Sequence, residues 1–327
     1  MVNGKVLNVS GDDILISKGY TLIDKKGKCM IEDCKYGFLS RFSPTRRFLR
    51  AVITSFYTLK DGTQLAIAKK GIFIRKVNEN SFKKLCTILR GSKPLNLCIT
   101  PDERIFFGEY FQNVVNVPVN IYDLDVVSGQ IKVVHTFGQG EINHIHGLFY
   151  DKYTNRIWVA TGDRENECII GYTEDEFKTF KEMFRGGQEY RTCQLFSYKD
   201  FIVFGTDTQY QQNVIKKFDR QTLEITELQK VQGSVIKGGQ VGDVAYISTT
   251  VEPSKVNTDK YAHLWVTKDG LHWKERYKAK KDWLPATLFQ FGTFEFPQYY
   301  GIEKLERLYF SGRALKGFDG KTTYIDL

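Results

Sequence analysis

Short runs of apolar residues recur along the whole chain and are separated by turns that contain Asp, Asn or Gly. Runs of this length, with almost no Ala, Leu and Glu at helical spacing, predict β-strands rather than helices. The runs repeat with a period near 48 residues, which is typical of an array of similar units. Equivalent positions lie 51, 48, 50, 46, 48 and 51 residues apart, at Ile23, Ile74, Tyr122, Tyr172, Phe218, Val266 and Gly317.

Each repeat has room for four strands, of which the second is the most apolar. These second strands are predicted at residues 13–17, 64–68, 104–108, 156–160, 201–205, 244–248 and 307–311. Four strands in each of seven units predict an all-β fold, a seven-bladed β-propeller that forms a single domain over residues 1–327. The blades are predicted at about 1–40, 41–91, 92–141, 142–188, 189–234, 235–283 and 284–327.

The ends of the chain supply their own strands in this prediction. The first blade has its own first strand, KVLNV, and the last blade ends in its own fourth strand, TTYIDL. We therefore expect no strand to be exchanged between the first and last blades.

Two turns between a third and a fourth strand carry a recognisable pattern. One is Thr267-Lys268-Asp269-Gly270-Leu271-His272-Trp273, and the other is Thr173-Glu174-Asp175-Glu176-Phe177-Lys178-Thr179-Phe180. Both resemble the Asp-box, or BNR repeat, of sialidase-like propellers. The resemblance implies that the aspartate accepts hydrogen bonds from nearby backbone amides and that the aromatic residue packs between sheets, which is a structural role.

The net charge of the chain allows two interpretations, a lysine-rich solvated surface and a polyanionic partner. The formal net charge is +9 with a pI near 9.0, and the basic residues are scattered rather than gathered into one arm. Such a charge attracts polyanions, although a lysine-rich solvated surface also explains it. No signature of a nucleic-acid-binding fold accompanies the charge, so we predict an acidic oligo- or polysaccharide as the partner and no nucleic acid.

The six cysteines indicate a reducing compartment. They are Cys29, Cys34, Cys86, Cys98, Cys168 and Cys193, without a C-x-x-C pair and mostly within apolar runs. Buried free thiols therefore explain them better than disulfides or zinc sites. The N-terminus has no secretory leader and no apolar run approaches the length of a membrane span, which predicts a cytoplasmic protein.

Candidate site residues cluster at the starts of first strands and the ends of second strands, which share one face of a propeller. In the fourth blade, His144 and His146 start one strand and Asp163 follows the next, so a hairpin brings the three together. Neighbouring blades add ionisable and aromatic residues on this face: Arg47, Glu109, Tyr110, Tyr190, Arg191, Asp207, Glu252 and Arg313.

This combination of residue types suits a polymer that contains uronic acids. Arginine neutralises the sugar carboxylate and makes the neighbouring ring proton acidic, and a tyrosine or histidine then drives β-elimination. The arrangement resembles that of the seven-bladed propeller polysaccharide lyases, of which ulvan lyases are examples. By this resemblance His144, His146, Tyr190 and Arg191 are the predicted catalytic residues, although Tyr190 and Arg191 are adjacent and point apart on a regular strand.

Several alternatives stay open. A sialidase-like hydrolase would use Arg47, Arg191 and Arg313 on a carboxylate and Glu252 as a base, whereas another glycoside hydrolase would need two carboxylates at a suitable separation. A scaffold that binds glycan or protein without turnover fits the fold equally well. These residues could also have purely structural roles. The histidine pair could form hydrogen bonds with the backbone, and the arginines could form ion pairs. Asp163 and Asp207 could cap turns. A metal ion held with Asp163 or Glu109 ranks lower, because H-x-H alone is a weak signal. We predict no metal and no cofactor.

Overall fold

The predicted apolar runs form β-strands in the computed structural model, which describes residues 1–25, 27–31 and 36–327. The described backbone divides into two units. Unit 1 comprises residues 1–87, 237–253 and 257–327, and unit 2 comprises residues 88–236 and 254–256.

The strands of the first half of the chain are β1 (Val2–Asn3), β2 (Lys5–Ser10), β3 (Asp13–Lys18), β4 (Thr21–Asp24), β5 (Gly27–Met30), β6 (Ser55–Thr58), β7 (Gln64–Ala68), β8 (Gly71–Arg75), β9 (Lys83–Thr87), β10 (Cys98–Ile99), β11 (Ile105–Gly108), β12 (Val119–Leu124), β13 (Ile131–Phe137), β14 (His144–Asp151) and β15 (Arg156–Gly162). Those of the second half are β16 (Cys168–Thr173), β17 (Lys181–Gly186), β18 (Thr192–Ser197), β19 (Phe201–Thr206), β20 (Val214–Asp219), β21 (Ile225–Lys230), β22 (Val235–Val241), β23 (Val244–Thr249), β24 (Tyr261–Thr267), β25 (Lys274–Lys280), β26 (Thr293–Glu295), β27 (Gln298–Tyr299), β28 (Arg307–Arg313) and β29 (Lys321–Asp326).

Helix is scarce in the described part of the chain. A 3-10 helix, Leu39–Arg41, precedes α1 (Ser43–Leu49), and α2 (Ala286–Phe289) is a single turn. Among the described residues, neither helix has the length and apolar character needed to span a membrane.

The strands form seven sheets, and the predicted fold class, an all-β seven-bladed β-propeller with blades of four antiparallel strands, is confirmed. Five blades use four consecutive strands each: β6–β9, β10–β13, β14–β17, β18–β21 and β22–β25. The blade of β2–β5 also takes β27, which pairs in parallel with β2.

The seventh blade differs from the prediction. Its strand order is β26, β28, β29 and β1, so TTYIDL is the third strand and Val2–Asn3 supplies the fourth. Gly317 therefore lies in a turn before the third strand, not within that strand as its place in the repeat predicted. The expectation that no strand is exchanged was wrong, because two residues at the start of the chain are too few to show a strand pattern.

Strand burial follows the position of each strand within its blade. In unit 2, all six residues of β16, the third strand of its blade, are buried, whereas the residues of β17, the fourth and outer strand, are half-buried or exposed. Large aromatic side chains fill the space between sheets, with Trp158, Phe204 and Phe218 in one cluster of unit 2. In unit 1, Phe294 and Phe310 have the same role.

Aspartate side chains accept backbone hydrogen bonds in the turns at residues 267–273 and 173–180. The Asp269 carboxylate accepts the backbone amides of Leu271 and His272, both at 2.9 Å, and Trp273 is buried. The Asp175 carboxylate likewise accepts the amide of Thr179 at 2.9 Å. These aspartates stabilise turns, and the contacts say nothing about activity.

The predicted free thiols agree with the structure where it describes them. Cys29, Cys86, Cys98, Cys168 and Cys193 are buried and free, and Cys34 lies outside the described residues.

Candidate functional site

The hairpin of β14 and β15 brings the two histidines beside the end of the second strand. His144 pairs with Gly162 and Ile145 with Thr161, but Gly147 pairs with Ala160, so His146 is an extra residue in the first strand. Such a β-bulge redirects a side chain away from the regular alternation. It turns His146 toward the side where Asp163 follows β15.

Three polar atoms from this hairpin converge on one point. The Nε2 atoms of His144 and His146 are 3.1 Å apart, and Asp163 Oδ1 lies 2.9 Å from His146 Nε2 and 3.4 Å from His144 Nε2. We call these atoms the acceptor triad. Both histidines are buried, and the Asp163 side chain is 33% exposed, which makes Asp163 the most open of the three residues.

The backbone fixes which ring nitrogens carry hydrogen. His144 Nδ1 lies 3.0 Å from the carbonyl oxygen of Phe111, and His146 Nδ1 lies 3.0 Å from that of Thr192. A carbonyl oxygen accepts and does not donate, so each Nδ1 bears the hydrogen. In the neutral rings, both Nε2 atoms therefore present lone pairs to each other and to Asp163.

Arg191 joins the triad to a second carboxylate. Its Nη2 atom is 2.9 Å from Asp163 Oδ1 and 3.6 Å from Asp207 Oδ2. Burial by itself lowers the pKa of Arg191, but the carboxylates of Asp207 and Asp163 outweigh it and raise the pKa above its ordinary value. Arg191 Nε is buried without a hydrogen-bond partner among the described residues, and Nη1 has one long contact, 3.4 Å from Gln188 Oε1.

Asp163 is ionised in this environment. Burial by itself raises its pKa, but the hydrogen bonds and positive charge that His144 and His146 supply when Nε2 carries a hydrogen outweigh burial and hold the pKa well below its usual range. Two amide side chains also fix the segment, since Gln188 donates to the Asp163 carbonyl at 2.8 Å and Asn143 donates to its Oδ2 atom at 3.4 Å.

Cys193 and Tyr110 complete the cluster as protonated groups. The Cys193 thiol donates to Asp207 Oδ2 at 3.4 Å, and burial followed by the Asp207 charge raises its pKa well above the ordinary value. The Tyr110 ring lies 4.3 Å from that of His144, and burial is the largest cause of its raised pKa. Neither group is suited to act as a base near neutral pH.

Two predicted residues of the same unit have other contacts. The Tyr190 ring stacks on Phe184 at 5.4 Å within an apolar cluster, so it does not join the histidines, in line with the alternation that separates it from Arg191. Glu109 is buried, with both carboxylate oxygens bonded by Arg90 and one by Tyr122 at 2.6 Å. Its bonds within the protein leave it little capacity for a ligand.

Three predicted residues belong to unit 1. Arg47 lies on α1 rather than at a strand start and pairs with Asp282, while its Nη2 donates to the Phe289 carbonyl at 2.6 Å. Arg313 Nη1 pairs with Glu295 at 3.1 Å. Glu252 follows β23 and lies outside any strand. The three arginines that a sialidase mechanism would need are each bonded to carboxylates of their own unit.

Sequence reasoning missed Cys193, Asn143 and Gln188. Cys193 looked like an ordinary buried residue of a strand, but the pairing of β18 with β19 shifts between Thr192 and Leu195, which places the thiol beside Asp207. A sequence pattern does not reveal such a shift, because the apolar alternation continues through it.

The cluster combines acid–base groups with metal-ligating ones. Two sets of three side chains bring one ligand atom each to within 4.8 Å of the others: His144, His146 and Asp163, and His146, Cys193 and Asp207. The histidines can transfer protons, and Arg191 can contact an anion.

Comparison with known proteins supports the fold and leaves the family open. No family model matches the chain, and no curated protein matches it. Among solved structures, an oligogalacturonate lyase from Vibrio parahaemolyticus matches with a TM-score of 0.57 and 10% identity over 92% of this chain and 88% of that chain. An oligogalacturonate lyase in complex with manganese matches with a TM-score of 0.58 and 8% identity over 90% of this chain and 86% of that chain. A chain of a mitotic checkpoint complex matches with a TM-score of 0.53 and 11% identity over 84% of this chain and 80% of that chain. At these identities the likeness shows the propeller fold alone.

Proposed function

We propose that the cluster around His144 and His146 acts on an acidic, uronate-containing oligosaccharide by β-elimination. The observation that carries the proposal is the acceptor triad, in which two histidine Nε2 atoms lie 3.1 Å apart beside an ionised Asp163. Oligogalacturonate lyases with the same fold support the substrate class, although the identity of about 10% transfers no residue role.

One shared proton gives the two histidines complementary roles. Three lone pairs that face one another repel, so at least one hydrogen belongs between them, and His146 is the better position because its Nε2 is nearer to Asp163. Protonated His146 is then the acid and neutral His144 is the base.

The reaction balances with these two groups. His144 Nε2 takes the proton from the carbon next to the sugar carboxylate, and that electron pair forms the ring double bond. The bond from the adjacent carbon to the glycosidic oxygen breaks, and the leaving oxygen takes the proton of His146 Nε2. The 3.1 Å contact then returns the proton from His144 to His146, which restores the starting state.

Arg191 is the residue proposed to receive the sugar carboxylate. Its two carboxylate partners both use Nη2, so the weakly bonded Nη1 remains for an anion. A carboxylate bonded to a guanidinium withdraws electrons from the neighbouring carbon and makes its proton more acidic.

The test measures the ultraviolet absorbance of the unsaturated uronate during incubation with oligogalacturonate and other uronate oligosaccharides. The wild-type chain is expected to produce this absorbance, and His144→Ala or His146→Ala is expected to lower kcat/KM at least about 100-fold. His272→Ala is the matched control, because that histidine is exposed at a turn outside the cluster and its loss should leave the rate unchanged.

The proposal fails if the two cluster variants turn over at the wild-type rate, or if no uronate substrate gives the absorbance. Binding without turnover would indicate a scaffold, and new reducing ends without absorbance would indicate a hydrolase. Circular dichroism of each variant separates loss of chemistry from loss of fold.

A further inference from the structure

The acceptor triad is unusual because its three atoms all present lone pairs to one another. Each histidine uses its Nδ1 hydrogen on a backbone carbonyl, at 3.0 Å in both cases, so Nε2 is the acceptor nitrogen of each neutral ring. Asp163 Oδ1 is the third acceptor. Buried acceptors this close need a positive charge between them.

The charges of the surrounding residues also indicate that the cluster needs a positive charge. With neutral imidazoles, Asp163 and Asp207 carry two negative charges and Arg191 carries one positive charge, which leaves one net negative charge in the cluster. Cys193 adds none, because its thiol is protonated and donates to Asp207. The cluster is therefore short of positive charge.

We propose that His144 Nε2, His146 Nε2 and Asp163 Oδ1 bind one divalent transition-metal cation of the zinc class. The three atoms form a triangle with sides of 2.9, 3.1 and 3.4 Å. A point about 2.1 Å from all three atoms exists on either side of such a triangle, which is the length of Zn–N and Zn–O bonds.

The groups behind the ligands are those that metal-bound histidines use. A metal-ligating histidine commonly donates its other ring N–H to a backbone carbonyl, which orients the ring and makes the ligand nitrogen more basic. Phe111 and Thr192 provide those carbonyls here, and Asn143 and Gln188 hold Asp163. Three protein ligands leave at least one coordination position open.

Arg191 is compatible with the bound ion. It contacts the same Oδ1 atom at 2.9 Å, and a carboxylate oxygen has two lone pairs, so one can bond the guanidinium and the other the metal. Two imidazole nitrogens with one carboxylate favour zinc, cobalt or iron(II) over Mg²⁺ and Ca²⁺, which prefer oxygen ligands.

The second set of candidate ligands is weaker. His146, Cys193 and Asp207 also converge, but Cys193 would have to lose its proton next to the Asp207 carboxylate. Both sets contain His146, so one ion at the acceptor triad excludes a second one there.

Metal binding has a consequence for the elimination reaction, and this step rests on the function proposed above. A cation takes the Nε2 lone pairs that would otherwise carry the shared proton, so neither histidine can relay protons while the ion is bound. Added Zn²⁺ is therefore expected to inhibit turnover, and a chelator is expected to restore it.

The test of the site itself uses no substrate. The full chain is stripped with a chelator and titrated with Zn²⁺ by calorimetry, and with Co²⁺ by visible absorbance, which reports nitrogen and oxygen coordination. One ion per chain is expected, with at least a 10-fold loss of affinity in Asp163→Asn and in His144→Ala. Zinc is also expected to raise the Tm of the wild type and not that of either variant.

His272→Ala serves as the control, because His272 is exposed and lies against Asp269, where a surface ion could bind. The proposal is overturned if the stripped wild type binds no zinc, if Asp163→Asn and His144→Ala bind it as tightly as the wild type, or if the ion is lost with His272→Ala. A failure of the elimination reaction leaves this result unaffected, since binding is measured without sugar.

Discussion

The His146 ring occupies the space beside Gly162, which has no side chain. A Cβ atom added to Gly162 would lie 2.4 Å from His146 Cε1, closer than such contacts occur. The bulge in β14 and the glycine in β15 therefore together allow the His146 ring to lie within the cluster.

Gly162→Ala is expected to displace the His146 ring and to lower the free energy of unfolding by about 1–3 kcal/mol, as an overpacked site does. It should also reduce turnover and zinc affinity, because the acceptor triad opens. Urea unfolding and zinc titration measure the two effects. Gly138→Ala is the control, since its Cβ would meet the end of the flexible Glu141 side chain at 3.3 Å and should change neither.

Asp151 is a buried charge whose role is stability. It is fully buried, pairs with Arg220 at 2.6 Å and accepts from Trp158 Nε1 at 3.2 Å. Asp151→Asn leaves the Arg220 cation buried without its partner, which is expected to cost about 3–5 kcal/mol. Denaturant unfolding measures the loss. Glu174→Gln is the matched control, because its pairs with Arg156 and Lys181 are exposed and contribute little to stability.

The same residue predicts a dependence on pH. Burial by itself raises the pKa of Asp151, but hydrogen bonds from Arg220 and Thr154 outweigh it and lower the pKa below the ordinary value. A lowered pKa adds stability that is complete above the unfolded value, about 3.9, and is lost as pH falls through the folded value. The stability difference between wild type and Asp151→Asn should stay constant from neutral pH to about pH 5 and shrink below about pH 4. A difference that grows at low pH would contradict the assignment.

At the scale of strands and hairpins, the sequence predicts pairing better than it predicts register. The order of apolar runs and turns places His144 and His146 beside Asp163 in one hairpin, and the β14–β15 pairing brings them together. The bulge at His146 and the shift near Cys193 are not visible in the pattern, because an extra residue leaves the apolar content of a strand unchanged.

The predicted starts of two first strands were wrong, because short helices occupy those segments. Arg47 was expected at the start of a first strand, but it lies in α1, Ser43–Leu49, which carries Pro44 in its first turn, a position that proline favours. Residues 287–292, TLFQFG, were expected to form the first strand of the last blade, but they overlap α2, and the first strand of that blade begins later, at Thr293. Short helices of this kind depend on tertiary contacts more than on local propensity.

The junction of the first and last strands depends on Thr322. This buried hydroxyl donates to the Gly4 carbonyl at 2.7 Å and accepts from the Val6 amide at 3.2 Å. Thr322→Val leaves the Gly4 carbonyl without that donor and is expected to cost about 1–3 kcal/mol. Thermal unfolding measures it, with Thr323→Val as the control on the other face of β29, where the side chain is half-buried. Equal effects of the two substitutions would contradict this role.

For the whole molecule, the repeat in the sequence is enough to predict the fold class, and the fold class is not enough to predict the chemistry. Solved structures with this fold include lyases and a chain of a checkpoint complex. Functional conclusions therefore depend on the contacts of the cluster in unit 2. Those contacts change the initial assignment, because Tyr190 packs on Phe184, and the proposed acid–base pair therefore consists of the two histidines alone.

Net charge and site charge act at different ranges. The chain carries a formal charge of +9, which attracts a polyanion from a distance, whereas the cluster itself is one charge negative when the imidazoles are neutral. The proposed acidic substrate would therefore be attracted by the net charge of the chain, while the proton or cation proposed at the acceptor triad would offset the negative charge of the cluster.

The most direct test of the central claim is the mass of the products formed from a defined oligogalacturonate by the chelator-stripped full chain. Elimination adds no water, so the masses of the two product fragments are expected to sum to the mass of the substrate, and this activity is expected to disappear in His144→Ala. Fragments that together weigh one water more than the substrate, or a substrate that stays intact at every concentration of the chain, would contradict the account.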